Sequence, residues 1–294
     1  MHARNVPART ILLAVVTLAG AAAWSLPVAH GSTPRAIVRD TTGDARRGRA
    51  IVEATRDSLP RHVGNALRCT SCHLDGGSRA TASAWHGVAR TYPRHRARRG
   101  STETIEQRVN ECLVRSLAGR ALPDTSRAMR DIVAWLDSLG RLAPLPKPDT
   151  VRLAGDTLRG ARTWATACAR CHGVTGAEGG SAPPVWGRRS YTVGAGLARH
   201  SLLATFVRWN MPYDGATRLD DRAAADVAAW LLRRPRLDHP GKARDWPAGD
   251  APADVAYATD AARAAGRPLP QRRPLIARDT TTRSRGAAVG AVRR

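Results

Sequence analysis

Apolar residues recur at helical spacing in two similar sets of segments. Gly160, Trp164 and Cys168 repeat every four residues and predict one face of a helix. Further on, Val227, Trp230 and Leu231 form an apolar stripe behind Asp220 and Asp221, whose carboxylates suit a helix N-terminus. Trp230 is expected to cross onto Gly160, whose missing side chain permits close approach. An earlier pair mirrors this: Gly48-Arg49-Ala50-Ile51, then a helix bearing Ile132, Trp135 and Leu136 with Met129 at a core position. Between them Thr104, with Gln107 three residues on, resembles a capping box. It predicts a helix from about Ile105 to Leu117, with Ile105, Val109 and Leu117 on one side and Gly119 as its stop.

The ends and joints of the chain read differently. Arg4 and Arg9 precede an apolar run from Ile11 to Trp24, and Ala29-His30-Gly31 offers a small-x-small cleavage site. Residues 1–31 therefore read as an export signal, with an uncleaved N-terminal anchor as the alternative, and the rest of the chain is expected in the periplasm. The run is short for a membrane span and no other stretch approaches one, so a multi-pass membrane protein is excluded. Pro144, Pro146 and Pro148 mark a stiff linker over 142–154. From 249 to 294 Ala, Arg, Pro and Asp dominate without clear periodicity, which predicts an extended or disordered tail.

Composition changes this picture little. Hydrophobic residues make up 43% of the 294, enough for a packed core, whereas aromatics at 4% disfavour a large β-sandwich. The net charge of +23 invites a nucleic-acid reading. However, only Lys147 and Lys242 are lysines among 47 basic residues, and the arginines spread along the whole chain. No nucleic-acid partner is expected; a small anionic substrate makes better use of such a field.

The five cysteines carry the chemistry. Cys69-Thr70-Ser71-Cys72-His73 and Cys168-Ala169-Arg170-Cys171-His172 are both C-x-x-C-H, the attachment signature of c-type haem. Two thiols add to the haem vinyl groups, and the adjacent histidine becomes the proximal iron ligand. The pairs are too far apart for a zinc ribbon, and no βαβ pattern supports a thioredoxin-like motif. The motifs lie 99 residues apart, an internal repeat. The expected fold is all-α: two tandem class I cytochrome c domains, at 44–141 and 155–248, with two covalently bound haem c groups.

Each domain also needs a distal ligand. Met211, in Asn210-Met211-Pro212, lies 39 residues after His172, and the position 39 residues after His73 is Cys112. These two are the expected sixth ligands; Met129, His86 and His95 are rivals in the first domain. Arg108 and Arg115 lie four before and three after Cys112, which places both on its helix face. Upstream, Arg94 to Arg99 form a cationic loop ending at Gly100. Cations beside a cysteine favour thiolate, and paired guanidinium donors chelate oxyanions. Arg98, Arg108 and Arg115 around one sulfur are therefore read as an anion site.

From Cys69 to Pro123 the chain resembles the thiosulfate dehydrogenase family of di-haem cytochromes c. The resemblance rests on Cys-Thr-Ser-Cys-His-Leu-Asp-Gly-Gly at 69–77, Tyr92-Pro93-Arg94 with Arg96, Ile-Glu-Gln-Arg-Val-Asn-Glu-Cys at 105–112 and Arg-Ser-Leu-Ala-Gly at 115–119. Asn210-Met211-Pro212-Tyr213 and His239-Pro240-Gly241-Lys242 extend it over nearly all of the mature chain. It implies joining of two thiosulfates to tetrathionate, a reaction some members favour in reverse. It also implies a His/Cys-ligated active-site haem and two important arginines, here Arg98 and Arg108. Cys112 would accept sulfur covalently, and electrons would leave through the His/Met haem to a small acceptor cytochrome c. The alternative is a di-haem electron-transfer subunit with no substrate of its own. Two departures stand out: Leu113 replaces a frequent aromatic, and Asn210 stands where some relatives carry a lysine able to ligate iron.

Overall fold

The computed structural model describes residues 42–268 and 274–277. The segment read as an export signal lies outside the described residues. The first half runs α1 (Ala45–Glu53), the single turns α2 (Thr55–Ser58) and α3 (Leu74–Gly77), and a hairpin of β1 (Arg94–Arg96) with β2 (Ser101–Glu103). Then follow α4 (Ile105–Arg115) and α5 (Arg127–Gly140). The second half holds α6 (Thr157–Thr163), α7 (Ala169–His172), α8 (His200–Asn210) and α9 (Asp221–Leu232). Strand β3 (Arg236–Leu237), helix α10 (Asp260–Ala264) and strand β4 (Leu275–Ile276) follow, with β3 and β4 parallel. The all-α expectation holds, since the strands are two short pairs.

The internal repeat is built on a close helix crossing used twice. A Cβ on Gly48 would lie 1.9 Å from the Asp131 carbonyl oxygen, and one on Gly160 would lie 2.0 Å from that of Asp226. Trp135 and Trp230 sit over the same glycines, as their spacing predicted. A matching ion pair clamps each crossing. Asp44 caps α1 and donates its own N–H to Asp131 (2.7 Å), while Arg47 reaches Asp131 at 2.9 Å. In the second half Asp156 caps α6 and donates to Asp226 (2.6 Å), and Arg159 reaches Asp226 at 2.7 Å. The signal for both clamps lies in the chain as Asp-x-x-Arg-Gly at 44–48 and 156–160, paired with Asp-x-x-x-Trp at 131–135 and 226–230. Gly160→Ala should destabilise the protein by at least about 1–3 kcal/mol, because a methyl cannot share space with a carbonyl oxygen. Chemical denaturation checks this; an unchanged midpoint and slope would mean that the crossing has room for a methyl group.

The core does not divide at the linker. Val52, Leu113, Met129, Ile132 and Leu136 pack in one buried cluster with Tyr191 and Val193 from the second half, and with Trp246, Val255 and Tyr257. Of the two readings of the tail, extended over the domains or disordered, residues 249–268 take the first: Val255, Ala256 and Tyr257 are buried against the body, and only the short α10 departs from the extended form. Burying such side chains stabilises by about 1.5–3 kcal/mol each. Hydrogen bonds tie the halves as well. The Asn65 side chain donates to the Ser116 and Ser190 carbonyls (2.8 and 2.9 Å), and Thr192 Oγ1 donates to the Arg115 carbonyl (2.6 Å).

Candidate functional site

Each attachment segment presents its residues in a form suited to haem c. Cys69, Cys72, Cys168 and Cys171 are in no disulfide. Burial raises the thiols of Cys69 and Cys168 to about 11 and that of Cys72 to about 12. His73 Nδ1 lies 2.8 Å from the Ser83 carbonyl oxygen, and His172 Nδ1 lies 2.7 Å from that of Pro183. A carbonyl only accepts, so the proton sits on Nδ1 and Nε2 keeps its lone pair for a metal. Burial pushes the His73 imidazole down to about 4 and also lowers that of His172, which keeps both neutral. Trp85 packs on His73 with ring centres 4.7 Å apart, and Trp164 on His172 at 6.0 Å. Buried nitrogens of His86 (Nε2), Trp186 (Nε1) and Arg236 (Nε) have no hydrogen-bond partner within the protein. Orphaned buried nitrogens are rare without a ligand to receive them. These residues fit two haem c groups.

The two distal candidates differ in local structure despite their equal spacing. Met211 follows α8 as an extended C-cap and packs partly buried against the second core. Cys112 lies inside α4, partly buried. Its charge acts on Cys69 and Cys72, so the three sulfurs share one neighbourhood. Two of the three rivals are placed elsewhere, and His86, with its buried Nε2 unpartnered, stays a candidate. Met129 is fully buried in the core on α5, and His95 is exposed on the hairpin. Asn210, the departure next to Met211, is buried and donates to the Thr81 carbonyl (3.1 Å), while Thr81 Oγ1 donates back to its side chain (2.8 Å). It thereby joins the Met211 segment to the loop that holds His73.

Helix α4 starts where its capping box predicts. Thr104 Oγ1 accepts from Gln107 N (3.3 Å), and Gln107 Oε1 accepts from Thr104 N (3.0 Å). It ends at Arg115 rather than Leu117, and Ala118, not Gly119, takes the left-handed conformation with φ +50°. Gly119 is required for another reason: a Cβ there would lie 1.7 Å from the His62 carbonyl oxygen. The cationic loop at 94–99 is a β-hairpin whose turn closes at Gly100 with φ +67°.

A cavity of about 390 Å³ opens between this hairpin and α4. Arg94, Arg98, Arg108 and Arg199 line it, with Trp246 as an apolar wall. The arginine trio read from the sequence splits here. Arg108 lies one helical turn before Cys112, which is the first cause holding its guanidinium above its usual range and does not itself line the cavity. Arg98 is largely buried, which lowers its pKa, and its Nη1 donates to the Gly194 carbonyl (2.9 Å). Arg115 also borders the cavity but is committed elsewhere. Its two Nη atoms bind Asp245 at 2.8 and 2.7 Å, and its Nε binds Glu111. Helix periodicity placed it beside the sulfur, but a carboxylate 130 positions away neutralises it. Asp245, Trp246 and Tyr257 were not legible as site residues, because no local pattern marks them.

Comparison with known proteins bears on the family of the chain. Residues 62–145 match the SoxA/TsdA cytochrome c domain, and residues 155–231 match the family described as cytochrome c oxidase, cbb3-type, subunit III. The chain is therefore two cytochrome c domains in series. It is 37% identical to a thiosulfate dehydrogenase of Psychrobacter arcticus over 71% of this chain and 68% of that protein. It is 34% identical to a thiosulfate dehydrogenase of Allochromatium vinosum, over 74% and 92% respectively. A solved structure of thiosulfate dehydrogenase (TsdBA) from Marichromatium purpuratum, in its as-isolated form, matches with TM-score 0.65 and 28% identity. That match covers 72% of this chain and about half, 51%, of the other. The chain belongs to the thiosulfate dehydrogenase family of c-type cytochromes.

Proposed function

We propose that this protein oxidises two thiosulfates to tetrathionate at Cys112, in the periplasm, and delivers the electrons through its second haem to a small acceptor cytochrome c. The observation that carries the reading is a cavity walled by Arg98 and Arg108, with Arg108 one helical turn before Cys112 on α4. Cys69, Cys72 and His73 would hold the first haem, with Cys112 as distal ligand. Cys168, Cys171 and His172 would hold the second, with Met211. When bound, the two haems supply acceptors for two electrons, one each. A methionine ligand raises a haem's potential, so Met211 would make the second haem the exit.

The chain's own residues do the rest. Arg98 and Arg108 hold the sulfonate end of thiosulfate by charge-assisted hydrogen bonds. The Cys112 thiolate forms a bond to the sulfane sulfur, and the pair gives up two electrons, leaving a cysteine S-thiosulfonate. The sulfane sulfur of a second thiosulfate attacks that of the adduct. The Cys112–sulfur bond breaks, its electron pair returns to Cys112 as thiolate, and tetrathionate leaves with both sulfonates. No proton is consumed or released.

Among the described residues no helix is long and apolar enough to cross a membrane. Purified holoprotein should reduce ferricyanide with thiosulfate and form one tetrathionate for each two thiosulfates lost. Failure to consume thiosulfate would leave a di-haem electron-transfer subunit as the better reading. The intact mass should exceed the polypeptide by two haems; a one-haem mass would remove one of the attachment sites from the account.

A further inference from the structure

An anion receptor must be fixed in place yet not already hydrogen-bonded to a carboxylate. Arg98 meets both conditions through residues from beyond the second haem segment. Its guanidinium carbon lies 4.5 Å above the centre of the Trp246 ring. Its backbone carbonyl accepts from Trp246 N at 2.9 Å, and its Nη1 is tied to Gly194. Trp246 pays for this position in backbone geometry: its φ is +52°, a region a bulky residue rarely enters unless its surroundings impose it.

The carboxylate beside Arg98 forms a long ion pair with it and accepts its hydrogen bonds from other donors. Asp245 Oδ2 is 3.9 Å from Arg98 Nε, beyond hydrogen-bond distance. Both its oxygens are engaged by Arg115, and Oδ2 also accepts from the Tyr257 hydroxyl at 2.5 Å. Asp245 and Tyr257 are buried, so water does not compete for these groups. Arg98 is left as a half-buried cation seated on an aromatic face, and both Arg98 and Trp246 line the cavity.

We propose that Asp245, Trp246 and Tyr257 are positioning residues of the anion site: Trp246 seats Arg98, and Tyr257 holds Asp245 back from neutralising it. This rests on the reading of Arg98 as a ligand of thiosulfate. The part of the chain from Asp245 to Tyr257 thus completes the site of the first haem domain. Tyr257 is the discriminating group. Without its hydroxyl, the Asp245 oxygen that faces Arg98 loses a donor and can close onto the guanidinium, taking the charge that thiosulfate needs.

The test uses two-haem holoprotein with thiosulfate and ferricyanide. Tyr257→Phe, nearly isosteric, should raise KM about tenfold and leave kcat within about twofold. Haem content, visible spectrum and midpoint potentials should not move. Trp246→Leu should raise KM at least as much. In an Arg98→Gln background Tyr257→Phe should add nothing, because the effect passes through Arg98. If Arg98→Gln raises KM but Tyr257→Phe and Trp246→Leu do not, the positioning role is overturned and the anion site stands. If Tyr257→Phe acts equally with and without Arg98, the role is again overturned. If Arg98→Gln leaves KM unchanged, the anion-site reading itself fails, and this inference with it.

Discussion

Replacing Cys112 by alanine is expected to abolish tetrathionate formation while both haems stay attached. Attachment depends on Cys69, Cys72, Cys168 and Cys171, none of which the change touches. The alanine methyl offers no lone pair, so neither the bond to iron nor the bond to sulfane sulfur can form. The visible spectrum of the first haem should change and that of the second should not. Cys112→Met separates the two roles of the sulfur. A thioether can ligate iron, but it already carries two carbon substituents and cannot form and release a sulfur–sulfur bond. Its first haem should again show an iron–sulfur spectrum with no return of turnover. Wild-type tetrathionate production by the alanine variant would place the chemistry elsewhere.

Arg108→Gln should lower kcat/KM for thiosulfate by about one to two decades. A hydrogen bond to a charged group contributes about 1.5–3 kcal/mol, and about 1.4 kcal/mol is tenfold. Glutamine keeps a donor but loses the charge that attracts the sulfonate. Electron exchange with a small uncharged reductant should be unaffected. Equal losses in both assays would point to a damaged haem environment rather than a lost anion contact.

Much of the site was legible because haem attachment is written locally. Two C-x-x-C-H motifs, their 99-residue spacing and the capping box at Thr104 each lie within a few consecutive residues or in a simple repeat. Local chemistry and helix periodicity therefore sufficed for the all-α class, the start of α4 and the Gly160–Trp230 crossing. Periodicity failed where a side chain had a choice of partners. Arg115 has the right register to face Cys112 along the helix, but it turns to Asp245, whose buried carboxylate would be costly without a cation.

The sequence by itself determined the local chemistry: two C-x-x-C-H motifs 99 residues apart, with a cysteine and a methionine each 39 residues after the motif histidine. Only the tertiary structure decided which carboxylates and aromatic rings the arginines of the first half meet. Pairing between Arg115 and Asp245, stacking of Arg98 on Trp246 and the folding of Val255 and Tyr257 into the first core are long-range contacts. Charge neutralisation depends on distance in space, and no period along the chain records it.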